Sequence, residues 1–217
     1  MFIIDITFYI LIITYTSIVY EIAVLPVPSV ASTYQLLFIN KVDAAVIKYE
    51  QDGLLRNVRK LPLVSKIILL LVPTAVSVLN YCFPLSLYFL PDTWVQNIII
   101  SELQTQFVMI AAILLIVTGR ILAIKSVLNI RLQNTQENDD FDLKTNGLFG
   151  YSRNPILVGM YLTYGGIFLL VPNWITIVGF LIYAANMHFR ILLEEDFLRS
   201  LFGAKFSVYL DKTRRYL

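Results

Sequence analysis

Five apolar runs alternate with polar connections along the chain: about Ile6 to Leu25, Leu63 to Leu90, Phe107 to Leu128, Pro155 to Val171 and Trp174 to Leu193. A run of roughly 17–25 apolar residues is long enough to cross a bilayer as a helix. The pattern therefore predicts an all-α fold, a polytopic transmembrane helix bundle of about five spans. Pro73 and Pro84 interrupt the second run, which allows a kink or a re-entrant half and hence a sixth segment. Only Pro172 and Asn173 separate the last two runs, so they form a C-terminal helical hairpin.

Between Ala31 and Lys60, apolar residues recur at helical spacing among charges, which suits a helix lying in the membrane interface or a linker with one sticky face. Beyond Glu194, Phe197, Leu198, Leu201 and Phe202 repeat in the same way and stop at Gly203, with a second short tail helix expected to Tyr209. Gln133 to Asp140 is polar enough for a loop. The first residues carry Asp5 and lack a basic leader, so the first run is expected to be a retained span. Residues 1–106 read as anchoring spans with an interfacial connection, and 107–217 as the core that carries the chemistry.

Charge adds an orientation. Lys41, Lys48, Arg56, Arg59, Lys60 and Lys66 crowd the first connection, whereas Pro91 to Gln106 has acids and no Lys or Arg. The third connection and the tail are again basic, so the positive-inside rule puts the N-terminus outside and the C-terminus in the cytosol. Composition agrees with a membrane protein: 58% of the 217 residues are hydrophobic and 15% charged, with a mean hydropathy of +0.72. A net charge of +2 gives no reason to expect nucleic acid. Cys82 has no partner for an intrachain disulfide, and the single His188 excludes a histidine-rich metal site.

The candidate chemistry lies around the hairpin's open end. Asn154 and Pro155 are good N-cap and first-turn residues, so they begin the fourth span. Arg153 then stands at the positive end of a helix dipole, where a cation needs an anion beside it or else snorkels to headgroup phosphates. Folding the hairpin pairs positions whose numbers sum to about 345, which sets Gly166 opposite Gly179 and brings Arg153 level with Arg190, Glu194 and Glu195. A site with both carboxylates and guanidinium groups suits a zwitterionic ligand such as the methionyl part of S-adenosylmethionine, although an intrahelical ladder of Arg190 with Glu194 and Glu195 with Arg199 is the simpler alternative. No Gly-x-Gly-x-x-Gly or Gly-Lys-Ser/Thr string occurs.

These segments, "GLFGYSRNPILVG" followed by "RILLEEDFLRSLFGAKFSVY", resemble the isoprenylcysteine carboxyl methyltransferase family and its relatives among membrane phospholipid methyltransferases. The upstream "TGRILAIKSVL" is similar to that family's preceding helix. The resemblance covers Gly119 to Arg215 and implies an S-adenosylmethionine-dependent methyltransferase of the cytosolic membrane face with a lipophilic acceptor. It implies that Arg190, Glu194 and Glu195 hold the methionyl group, that Arg153, Asn154 and Pro155 form the opposite wall, and that Gly147 and Tyr151 lie on the covering loop. Arg153, Asn154 and Glu194 are thereby candidates for the reacting end, and Arg214 or Arg215 for an anionic group on the acceptor. Asn154 stands where many members have His, and Leu157 where Tyr is usual, which leaves the acceptor open. An NADPH-dependent membrane reductase of similar architecture, or a noncatalytic protein that keeps the fold, are the competing readings.

Overall fold

The computed structural model describes residues 2–24, 54–136, 143 and 145–217. The Ala31 to Lys60 segment lies outside them except for its end. Among the described residues the chain is helical, and the only β-type pairings are two isolated bridges, Ile99 with Asn173 and Ser152 with Arg214. Helix α1 spans Phe2–Val24 and α2 Leu54–Lys60. Helix α3 runs Leu63–Phe89. A short α4, Asp92–Ile98, precedes α5, Gln106–Gln136, which extends into the stretch expected to be a loop. Then come α6, Pro155–Leu170, α7, Trp174–Phe202, and α8, Ala204–Lys212.

Three of these are long and apolar enough to cross a membrane, Leu63–Phe89, Gln106–Asn129 and Trp174–Phe202, and two shorter helices are apolar over Ile6–Glu21 and Pro155–Leu170. They coincide with the five apolar runs. Their outward faces carry bare hydrophobic side chains such as Ile13, Leu79, Phe107, Leu114 and Leu181, as acyl chains require and water does not tolerate. This is a membrane protein.

The second run is one helix rather than a re-entrant piece. A π-helical turn at Ile67–Leu71 sits just before Pro73. Proline has no N–H to give and its ring collides with the carbonyl four residues earlier, so a widened turn there removes both problems without breaking the rod.

The hairpin does not pair its helices as its brevity suggests. Helix α6 packs most extensively on α5, through small residues: a Cβ added at Gly119 would lie 2.5 Å from the Gly159 carbonyl, one at Gly159 would lie 2.7 Å from the Ala123 amide, and one at Gly166 would lie 2.7 Å from the Ala112 carbonyl. Close approach of backbones through Gly and Ala is what holds helices together where lipid offers no hydrophobic drive. Helix α7 instead packs along α3, where Asn80 occupies the space a side chain on Gly179 would need and Asn186 reaches Thr74 at 3.3 Å. The expected meeting of Gly166 with Gly179 is therefore replaced by two separate seams. At the turn, Asn173 caps α7, its Oδ1 accepting from the Thr176 amide and hydroxyl at 2.8 and 2.9 Å.

Helix α1 is tied to α5 by a membrane-buried ion pair. The Arg120 guanidinium meets the Glu21 carboxylate and donates to the Ser17 hydroxyl at 3.0 Å; both charged residues are buried. The Tyr15 hydroxyl donates to the Tyr81 carbonyl and fastens the same helix to α3. Helix α1 thus packs into the same bundle as α3 and α5.

Candidate functional site

Arg153 precedes α6 and is nearly enclosed. Its Nη2 lies 3.1 Å from Glu195 Oε1 on α7, and its Nη1 donates to the Leu210 carbonyl on α8 at 3.0 Å. Its backbone amide donates to the Arg214 carbonyl at 2.9 Å. The anion that balances this arginine is a carboxylate of the protein itself, so neither a snorkelling arginine nor an open anion site describes it. Its Nε is buried with no hydrogen-bond partner among the described residues.

Glu195 is the centre of the cluster. It is 9% exposed and accepts a bidentate pair from Arg215, Nε to Oε1 at 3.0 Å and Nη2 to Oε2 at 2.8 Å. That fork geometry is the strong form of a guanidinium–carboxylate contact. Hydrogen bonding to Glu195 raises the Arg215 pKa further above its ordinary value, although partial burial opposes it. The contact of Arg153 with Glu195 joins positions summing to 348, close to the depth match read from the hairpin.

Asn154 does not cap α6 with its side chain. The boundary at Pro155 stands, but the Asn154 Nδ2 donates to the Arg215 carbonyl at 3.0 Å, and the Ser152 hydroxyl accepts from the Asn154 amide at 3.1 Å. Ser152 also bridges to Arg214. The tail beyond α8 is thereby laid along the segment that opens α6.

Other tail contacts were not read from the sequence. Tyr209 donates to the Phe149 carbonyl at 2.6 Å. Burial pushes its phenol up to about 12, with Arg153 pulling the other way. Tyr216 meets His188 Nδ1 at 2.7 Å and lies with its ring centroid 6.1 Å from that of Tyr161. Alternating aromatic and polar residues in "FSVYLDKTRRYL" are the available signal, and they do not say what the rings touch.

Arg190 and Glu194 point elsewhere. Gly179, Asn186 and Arg190 follow one stripe at spacings of seven and four, and the first two of them meet α3. Arg190 is buried and is the principal favourable charge acting on Glu194, with Glu195 the opposing one. Among the described residues Glu194 makes no hydrogen bond or ion pair. The four residues expected at one depth therefore divide between two faces of α7.

Gly147 begins a 3-10 turn, Gly147–Gly150, with φ +63°, and a Cβ there would lie 2.8 Å from the side-chain amide nitrogen of Asn129 on α5. Only glycine fits that conformation and that space without strain. Tyr151 is 80% exposed, Pro155 is buried, and the Arg214 side chain faces outward. No group of His, Cys, Asp and Glu that could hold a metal occurs among the described residues. A cavity of about 570 Å³ bounded by Thr7, Leu87, Asp92, Gln104, Met109 and Val171 opens at the opposite end of α6, about 24 Å from Arg153 at 1.5 Å per residue.

Residues 107–205 match the phospholipid methyltransferase family. That segment holds α5 but for its first residue, α6, α7 and the first two residues of α8, and with them Arg153, Arg190, Glu194 and Glu195. No curated protein and no solved structure matched the chain.

Proposed function

We propose that the protein is an S-adenosylmethionine-dependent methyltransferase acting on a lipophilic acceptor at the cytosolic face of a membrane. The observation that carries this reading is the family-matched segment with a charged set of carboxylates and guanidinium groups at one end of an otherwise apolar bundle. The donor set suits the cofactor. A zwitterionic amino-acid group needs an acceptor for its ammonium and a donor for its carboxylate, and Glu194 and Arg190 offer these side by side on α7. Gly147, with its left-handed backbone packed against the Asn129 side chain, lets the covering loop sit close to α5.

When bound, S-adenosylmethionine supplies a methyl group already activated by its sulfonium, so the chain's task is alignment and exclusion of water. Arg190 and Glu194 orient the charged end, and Gly147 and Tyr151 cover it. Asn154 and Pro155, fixed by the tail, form the wall against which the acceptor lies. A carboxylate acceptor requires no general base; an amine acceptor gives up a proton, which Glu194 would take. Of the two tail arginines, Arg215 is taken by Glu195, which leaves Arg214 for an anionic group on the acceptor. The antiparallel packing of α5 with α6 and of α3 with α7 supports a topology in which Arg153, Glu195 and the tail share the cytosolic side with the basic connections.

The test is methyl transfer from labelled S-adenosylmethionine by the full chain in nanodiscs, with a prenylcysteine and phosphatidylethanolamine as alternative acceptors. Label in one of them that Glu194→Gln abolishes supports the reading and identifies the acceptor class. Saturable NADPH binding with no methyl transfer to either would move the protein to the reductase class.

A further inference from the structure

Glu194 and Glu195 are neighbours in sequence, and the methyltransferase reading treats them as two ligands of one cofactor. We infer that their work is divided: Glu195 is a positioning residue that clasps the tail to the entrance of α6, and Glu194 alone is the carboxylate that receives a cationic group of the ligand. The inference rests on the methyltransferase reading for Glu194 and on geometry alone for Glu195.

Glu195 is already matched by two guanidinium groups. Its two oxygens accept two N–H donors from Arg215, Nε at 3.0 Å and Nη2 at 2.8 Å, and Arg153 Nη2 stands 3.1 Å away as a second ion pair. Two guanidinium groups already face one carboxylate that is 9% exposed. A ligand ammonium there must displace an arginine and leave it buried beside a second positive charge. Glu194 lies about 100° round the helix, with Arg190 as its principal partner charge and no hydrogen bond among the described residues.

The clasp joins three elements through one carboxylate. Arg153 belongs to the entrance of α6, Glu195 to α7 and Arg215 to the tail. Around it the tail backbone is held by the Arg153 amide on the Arg214 carbonyl at 2.9 Å and by Asn154 on the Arg215 carbonyl at 3.0 Å. Tyr216, the next residue, is thereby delivered to His188 at 2.7 Å. Loss of Glu195 releases this wall, which Asn154 and Arg214 present to the acceptor, while the carboxylate beside Arg190 stays where it is.

The experiment compares Glu194→Gln, Glu195→Gln, Arg215→Gln and the double variant Glu195→Gln/Arg215→Gln in the full-length protein. Three quantities are read: S-adenosylhomocysteine affinity, amide hydrogen exchange over residues 204–217, and the KM for the acceptor. Glu194→Gln is expected to weaken S-adenosylhomocysteine by ~10-fold or more, as loss of a charged hydrogen-bond partner does, with the tail as protected as in the native protein. Glu195→Gln and Arg215→Gln are expected to deprotect the tail amides and raise the acceptor KM, with S-adenosylhomocysteine affinity changed less than ~3-fold, and the double variant to be little worse than either because the two act as a unit. Should Glu195→Gln reduce the overall fold, Arg215→Gln alone carries the same reading. A Glu195→Gln protein with a protected tail and S-adenosylhomocysteine weakened as far as in Glu194→Gln overturns the division. Failure of the native protein to bind S-adenosylhomocysteine sinks the cofactor reading and the Glu194 assignment with it, whereas the clasp falls only if Glu195→Gln leaves the tail protected.

Discussion

Alanine at Gly165 and alanine at Gly166 are predicted to change stability in opposite directions, although the positions are adjacent on α6. A Cβ at Gly166 would lie 2.7 Å from the Ala112 carbonyl, 2.7 Å from Ile116 Cγ1 and 2.9 Å from the Ile116 amide, while one at Gly165 meets nothing within 4 Å. Two of the three atoms at Gly166 are backbone of α5, which no rotamer change can move aside, so α5 and α6 must separate. Overpacking of this kind costs about 1–3 kcal/mol, and the seam as a whole rests on such close approaches. At Gly165 the methyl group gains the helical preference of Ala over Gly, up to about 1 kcal/mol. The same preference acts at Gly166, so the two variants should differ by the overpacking cost alone, roughly 1–3 kcal/mol, which for a chain of this size corresponds to several degrees in Tm. Thermal unfolding in one detergent, followed by intrinsic fluorescence from Trp94 and Trp174, resolves a difference of that size. Equal shifts, or a Gly166→Ala protein at least as stable as Gly165→Ala, would refute the claim that α6 is seated on α5 through its glycines.

Three further outcomes follow from the buried groups. Arg120→Leu leaves Glu21 buried without its partner and should cost roughly 3–5 kcal/mol, while Arg120→Leu/Glu21→Leu should recover most of it; detergent melts of both variants check this. Gly147→Ala strains a backbone at φ +63° and meets the Asn129 amide, so S-adenosylhomocysteine affinity should fall more than global Tm, as calorimetry beside a melt will tell. The Tyr209 phenol is pushed up to about 12, which means the folded state holds this proton while the unfolded chain releases it near 10. Stability is therefore kept below pH 10 and declines between about pH 10 and 12, and Tyr209→Phe should flatten that decline in melts across alkaline pH.

The membrane-crossing elements are legible in the sequence because bilayer thickness imposes a run length that no soluble fold requires, and each of the five runs became a helix. Helix partners are less legible. Helix α6 is apolar on every side, so nothing in its pattern says whether Gly159 and Gly166 face α5 or α7; the choice depends on Gly119 and Ala112 lying at matching heights on a helix some 45 residues earlier. Depth at the candidate site is legible from helical rise, which brings Arg153 within reach of α7. Azimuth is not, because one residue along α7 turns the side chain by about 100°, and this separates Glu194 from Glu195. The return of the tail is a long-range contact whose signal, two arginines and a tyrosine, is equally compatible with binding a lipid headgroup. Asn154 shows the same limit: its preference for helix starts places the boundary of α6, while its amide is drawn to the Arg215 carbonyl in place of the capping bond.

The most direct test of the account is a calorimetric titration of S-adenosylhomocysteine into the detergent-purified protein, with Glu194→Gln in parallel and NADPH as the control ligand. Saturable binding of S-adenosylhomocysteine that Glu194→Gln weakens by ~10-fold or more, with no NADPH binding, is the predicted result. A folded protein that binds no S-adenosylhomocysteine, or that binds NADPH instead, would contradict it.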